Sequence, residues 1–132
     1  MNPELIVASM LNTVAINALV GNRRAMAQLP QNSAFPAIVY TIVDSSAQPH
    51  LNYSVERQMA RARIQINPIA KSIGDVKAIL DAIRAAMDFK LQQVYANKTV
   101  ISSRLELLGP IEKDDDLGVW TQPVDYMLMW YE

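Results

Sequence analysis

The sequence predicts an α+β fold: a mostly antiparallel four-stranded sheet with two main helices packed on it. Three observations lead there. Apolar residues recur at helical spacing over 3–20 and 73–93, four other stretches alternate or are rich in β-branched residues, and the order helix, strand, strand, helix, strand, strand lets consecutive strands pair antiparallel. The length, 132 residues, fits one domain spanning 1–132 with a core that needs neither disulfides nor a structural metal.

Asn2 can cap the first helix, Pro3 takes a first-turn position where a missing N–H is harmless, and Gly21 offers the left-handed residue that ends it. Ser9, Asn12, Thr13 and Asn17 recur on its polar side, leaving Leu5, Val7, Ala8, Leu11, Val14, Ala15, Ala18 and Leu19 as an apolar face. A face that wide needs two neighbours, either a sheet and a second helix or a sheet and another subunit. Gly21, Asn22, Pro30, Asn32, Ser33 and Pro36 make residues 21–36 an irregular connection. Ala37 to Val43 is β-branched and reads as a strand near the middle of the sheet. Residues 44–56, with Ser45, Ser46, Pro49, Asn52 and Ser54, read as a long loop of the functional kind.

From Arg57 to Ile66, Arg57, Met59, Arg61, Arg63 and Gln65 alternate with Gln58, Ala60, Ala62, Ile64 and Ile66, which makes a strand with one wet, basic face and one packed face. Pro68 is expected to stop it. Ser72 and Asp75 form a capping pair for a second helix over 73–93, with Val76, Ile79, Leu80, Ile83, Met87 and Leu91 on its inward stripe. Lys98 to Leu108 alternates as a third strand until Gly109 and Pro110 break it. In the last strand, Val119 to Tyr131, one face holds Tyr126, Leu128 and Trp130 and the other holds Met127, Met129 and Tyr131. Neither face reads as solvated, and two helices give little material to cover both. That points to oligomerisation.

Twelve Lys and Arg against thirteen Asp and Glu give a net charge of −1, without the overall basicity of a dedicated nucleic-acid binder. With no cysteine, disulfides, thiolate metal sites and Cys nucleophiles are excluded. The amino terminus has no basic leader pattern and no apolar run reaches about 18 residues, so a soluble protein with no membrane partner is expected. Residues 57–104 hold nine basic residues against three acidic ones, whereas residues 105–132 hold seven acidic ones against Lys113. Such asymmetry suits a head-to-tail interface between copies that closes a ring, unless both regions are simply solvated.

Little points to catalysis. His50 is the only histidine, no Ser sits in a Gly-flanked elbow, and four glycines form no phosphate loop or dinucleotide fingerprint, so no catalytic residue, cofactor or metal is expected. The run Asp114, Asp115 and Asp116 lacks calcium-loop spacing and reads as a solvated turn, a weak divalent site or an acidic docking surface. Arg57, Arg61 and Arg63 suit sequence-independent phosphate contacts or a salt-bridged sheet face, and no aromatic residue is interleaved to stack bases. Trp120, Tyr126, Met127, Met129, Trp130 and Tyr131 read first as core and second as interface.

Phe35-Pro36-Ala37-Ile38-Val39-Tyr40, then Asp114-Asp115-Asp116-Leu117-Gly118-Val119-Trp120, then Tyr126 and Trp130-Tyr131-Glu132 together resemble the tail terminator proteins of long-tailed bacteriophages, lambda-type. The resemblance covers essentially the whole chain. It implies a non-enzymatic virion protein of the tail and neck, assembled in the host cytoplasm. Such a protein forms a ring, typically homohexameric, that caps the tail tube protein, stops its polymerisation, meets the head-tail connector or stopper protein, and lets DNA pass without reading its sequence. It further implies subunit or partner contacts at Arg57, Arg61 and Arg63 and at Asp114, Asp115 and Asp116, with the 45–56 loop as an arm; the apolar terminal strand itself adds Trp120, Met127, Met129 and Tyr131 as candidate interface residues. A head-tail connector of the neck, a small enzyme and a free nucleic-acid module are the alternatives.

Overall fold

Asn12 and Thr13 interrupt the first apolar stretch, and the chain turns there. In the computed structural model, which describes residues 2–30, 34–48 and 58–132, the expected single helix is two: α1 (Pro3–Met10) and α2 (Val14–Val20), bent by 87°. Thr13 is the reason, because its hydroxyl accepts a hydrogen bond from the Ile16 N–H at 3.2 Å and starts a new helix. The bend also changes which residues face inward. Ile6, Val7, Met10, Leu11, Ile16 and Val20 are buried, whereas Leu5 and Val14, expected on the apolar face, are exposed. Asn2 makes no side-chain cap, while Gly21 ends α2 at φ +60 as expected.

The remaining elements are β1 (Arg24–Met26), β2 (Ala37–Gln48), β3 (Met59–Ala70), α3 (Ile73–Met87), β4 (Lys90–Tyr95), β5 (Lys98–Leu108), β6 (Glu112–Asp114), β7 (Val119–Thr121) and β8 (Val124–Tyr131). The fold is α+β, but the described residues form three helices and a mixed eight-stranded sheet rather than two helices and four antiparallel strands. The main order is β1-β2-β3-β8-β5-β4; β1 runs parallel to β2 and every other pair is antiparallel.

The third strand passes through Pro68 instead of stopping there. Ile38, its register partner, gives its N–H to the Arg23 carbonyl on the β1 side at 2.9 Å, so it makes no ladder bond to β3. On its other side β3 leaves β8 after Ile66 and meets β7 from Ile69, so the missing proline donor falls in the gap between two ladders. That gap divides the expected last strand. Gln122 and Pro123 separate β7 from β8, and the turn is held by the Gly109 N–H on the Pro123 carbonyl (2.8 Å) and by Gln122, which accepts from Lys77 Nζ (2.7 Å) and donates to the Gly109 carbonyl (3.0 Å). A Cβ on Gly109 would stand 2.7 Å from Pro123 Cγ, so the close approach needs glycine.

The second helix begins as expected, the Ser72 hydroxyl accepting from the Asp75 N–H at 3.2 Å. It ends at Met87, six residues early. Asp88 is extended and Phe89 takes φ +53, after which the chain enters β4 and returns through Ala96 and Asn97, both at positive φ, as a two-residue hairpin onto β5. Leu91, expected on the helix stripe, is therefore an exposed strand residue. The loop expected at 44–56 is part strand: 44–48 belong to β2, with a bulge at Val43, while 49–56 lie outside the described residues.

All three helices lie on one side of the sheet. Ala60, Ala62, Ile64 and Ile66 of β3, Val100 of β5, and Tyr126, Leu128 and Trp130 of β8 are buried there against Val76, Ile79, Leu80, Ile83 and Met87 of α3. The Tyr126 hydroxyl donates to Asp88 Oδ1 at 2.5 Å, and Asp88 accepts from Arg84 Nε at 2.9 Å, tying the end of α3 to β8. Burial, then this hydrogen bond, holds the Tyr126 phenol far above its ordinary range. Trp130→Ala should lower unfolding free energy by about 3–5 kcal/mol, and Met129→Ala on the opposite face of β8 by less than about 1 kcal/mol, read from urea denaturation midpoints.

Candidate functional site

The period of two along β3 and β8 that buries one set of side chains sends the other to a face that no helix covers among the described residues. Register places Met59 opposite Tyr131, Arg61 opposite Met129, Arg63 opposite Met127 and Gln65 opposite Asp125. Five of the residues named from sequence thus meet on one surface: Arg61, Arg63, Met127, Met129 and Tyr131. Met59, Met127, Met129 and Tyr131 are half-buried by their neighbours in the sheet. Arg57 lies outside the described residues, as do His50 and the remainder of the expected arm.

The charge on this face is largely settled within the chain. Arg63 reaches Asp125 Oδ2 with Nε at 3.2 Å and Nη2 at 2.9 Å, and Asp125 is only 8% exposed. Arg104 pairs with Glu106, and Lys98 Nζ lies 4.0 Å from Glu132. Arg63–Asp125 and Lys98–Glu132 thus join stretches separate in sequence, because β8 inserts between β3 and β5, whereas Arg104–Glu106 is a local pair within β5. Arg61 remains exposed, with Nε 3.4 Å from Ser46 Oγ.

Asp114, Asp115, Asp116 and Trp120 sit apart, in the β6–β7 hairpin at one end of the sheet. Asp114 Oδ1 accepts from the N–H groups of Asp116 (3.0 Å) and Leu117 (3.3 Å), so this carboxylate shapes its own turn. Asp115 projects into solvent, 3.7 Å from Lys113 Nζ, and Lys113 lies over the Trp120 ring, which packs against the core. Among the described residues no group of three Asp, Glu or His side chains is placed to hold a metal ion. No single described helix is long and apolar enough to cross a membrane.

Sequence reasoning missed two features. The first is a cavity of about 720 Å³ on the helix-free side, where Val39, Ile69 and Val119 form the floor and Leu29, Phe35 and Leu117 the walls, with Asp114 at its edge. Four separate chain segments build it, so no local spacing announces it. The second is the outer edge of β4, which pairs with no further strand among the described residues, where Phe89 just before it and Leu91 and Val94 within it are 74%, 62% and 67% exposed. Leu91 continues the helical period from Met87, which hides the strand.

Among the described residues the sheet carries helices on one side only and leaves a half-buried apolar strip, Met59, Met127, Met129 and Tyr131, on the other. The same architecture occurs in a chain of the virion of a native gene transfer agent particle, with a TM-score of 0.75 over 98% of this chain and 97% of that one at 12% identity, which establishes the shared fold. The family described as tail completion protein gp17 matches residues 4–108, and the chain belongs to that family. Its role is accordingly structural, in the phage tail. No curated protein matches the sequence.

Arg63→Ala leaves Asp125 nearly buried without its cation and should cost about 1–3 kcal/mol, whereas Arg104→Ala, which breaks an exposed pair, should cost less than about 1 kcal/mol. Chemical denaturation of the two variants beside the parent checks this order.

Proposed function

We propose that this protein is a tail terminator: a closed ring, homohexameric in its simplest form, that sits on the head-proximal end of the tail tube, stops tube polymerisation and offers its other side to the head-tail connector. Family membership supports a place in the tail. The observation that carries the reading further is the half-buried apolar strip Met59, Met127, Met129 and Tyr131, with β4, beyond β5, ending the sheet as a strand unpaired on its outer side among the described residues. An isolated monomer gains nothing from holding such surfaces in water, and a closed ring removes its free edges. Arg61 would face the assembly or the passage through it, where DNA phosphates meet it without sequence recognition.

A free nucleic-acid module fits less well, since Arg63 and Arg104 are already committed to Asp125 and Glu106. A connector of the neck would share the fold but would not limit the tube. Tail tube protein polymerised with and without this chain separates the two: electron microscopy should show tubes that stop growing and carry one added ring at a single end. Tubes of unchanged length with nothing at either end would discard the terminator role.

A further inference from the structure

We propose that the β4 edge of one copy, led by Phe89 and Leu91, seats in the apolar cavity of the next copy, joining subunits head to tail. This rests on the ring reading above and names its contact. Phe89 is a bulky aromatic held at φ +53 and 74% exposed. Bulky residues rarely adopt that backbone region, and doing so to place a ring in water is explained when the ring has a partner. Leu91 and Val94 extend the apolar edge onto the helix-free side, in register with Ser102 and Thr99.

The cavity has the matching chemistry. Its walls Leu29, Phe35 and Leu117 accept apolar side chains, and its volume of about 720 Å³ takes more than one of them. Its edge adjoins a second depression lined by Glu112, Lys113, Asp114, Asp115, Asp116 and Thr121. Residues 89–99 carry Lys90 and Lys98 and no acidic residue, whereas residues 112–118 carry four acidic residues and one lysine. The segment that docks is thus basic and the rim it meets is acidic.

Geometry makes the contact one between copies. From β3, which floors the cavity, the ladder runs through β8 and β5 before reaching β4, three steps of about 4.8 Å. The edge does not reach its own cavity, and two different, complementary surfaces set apart along one sheet form a heterologous contact, the kind that closes rings.

Two variants test it by native mass spectrometry: Phe89→Asp, which spoils the edge and keeps the cavity, and Leu117→Lys, which spoils the cavity and keeps the edge. Each should be folded by circular dichroism and monomeric where the parent assembles. Mixed one to one, they should form a dimer and nothing larger, since one good contact remains. Phe89→Ser and Leu117→Ser serve as a second pair if either charge variant melts early. Variants that assemble like the parent, or a mixture without dimer, overturn this contact and leave the ring standing. So does a Leu117→Lys chain that assembles normally but no longer binds an apolar dye, since the cavity is then a small-molecule site. A Phe89→Asp chain that assembles normally but no longer binds tube protein also overturns it, assigning the edge to the tube. A parent that is monomeric both alone and with tube protein overturns the ring reading and this contact together.

Discussion

Strand β8 lies between β3 and β5 and carries Tyr126, Leu128 and Trp130 into the helix layer, where each is fully buried. At roughly 1.5–3 kcal/mol for burying a large apolar side chain, this row joins the two halves of the sheet to α3 and fixes the register of everything around it. A slip of one residue would exchange Trp130 for Met129 and turn the core outward. Once that register is set, the alternate residues have no freedom: Met127, Met129 and Tyr131 must face the side that no helix covers.

The same insertion decides the electrostatics. By lying between β3 and β5, β8 brings Asp125 to Arg63, and its end brings Glu132 to Lys98. Part of the charge asymmetry of the sequence is thus paired inside one chain, while the acidic β6–β7 hairpin stays outside those pairs. What the fold leaves unsatisfied is apolar: the methionine strip, the β4 edge and the cavity beneath the β6–β7 hairpin. Assembly through such surfaces depends on desolvation, with charge setting orientation.

Much of the fold was legible because local rules and tertiary packing agreed. The alternation of 59–66, the bounds Lys98–Leu108, the Ser72 cap and the inward stripe of α3 follow directly from spacing. The errors lie where a residue fits two patterns. Asn12 and Thr13 suit the polar side of a long helix as well as the cap of a new one, and Leu91 suits a helix stripe as well as a strand. Pro68 is a strand breaker in isolation, yet the ladder it would break is already interrupted. For the candidate site, the residues on one strand face were readable, but the cavity depends on segments brought together only by folding, and the Arg63–Asp125 pair spans positions 62 residues apart. Family resemblance supplied the tail assignment that no spacing of side chains could.

In the proposed assembly this protein covers its apolar surfaces with further copies of itself. Its mass in solution, followed by light scattering across concentration and from low to high salt, tests that most directly. A discrete multiple of the chain mass of 14.7 kDa that persists at high salt is expected, because the proposed contacts are apolar and salt screens charge without weakening desolvation. A monomer at every concentration, or an assembly that dissociates as soon as salt is raised, would contradict it.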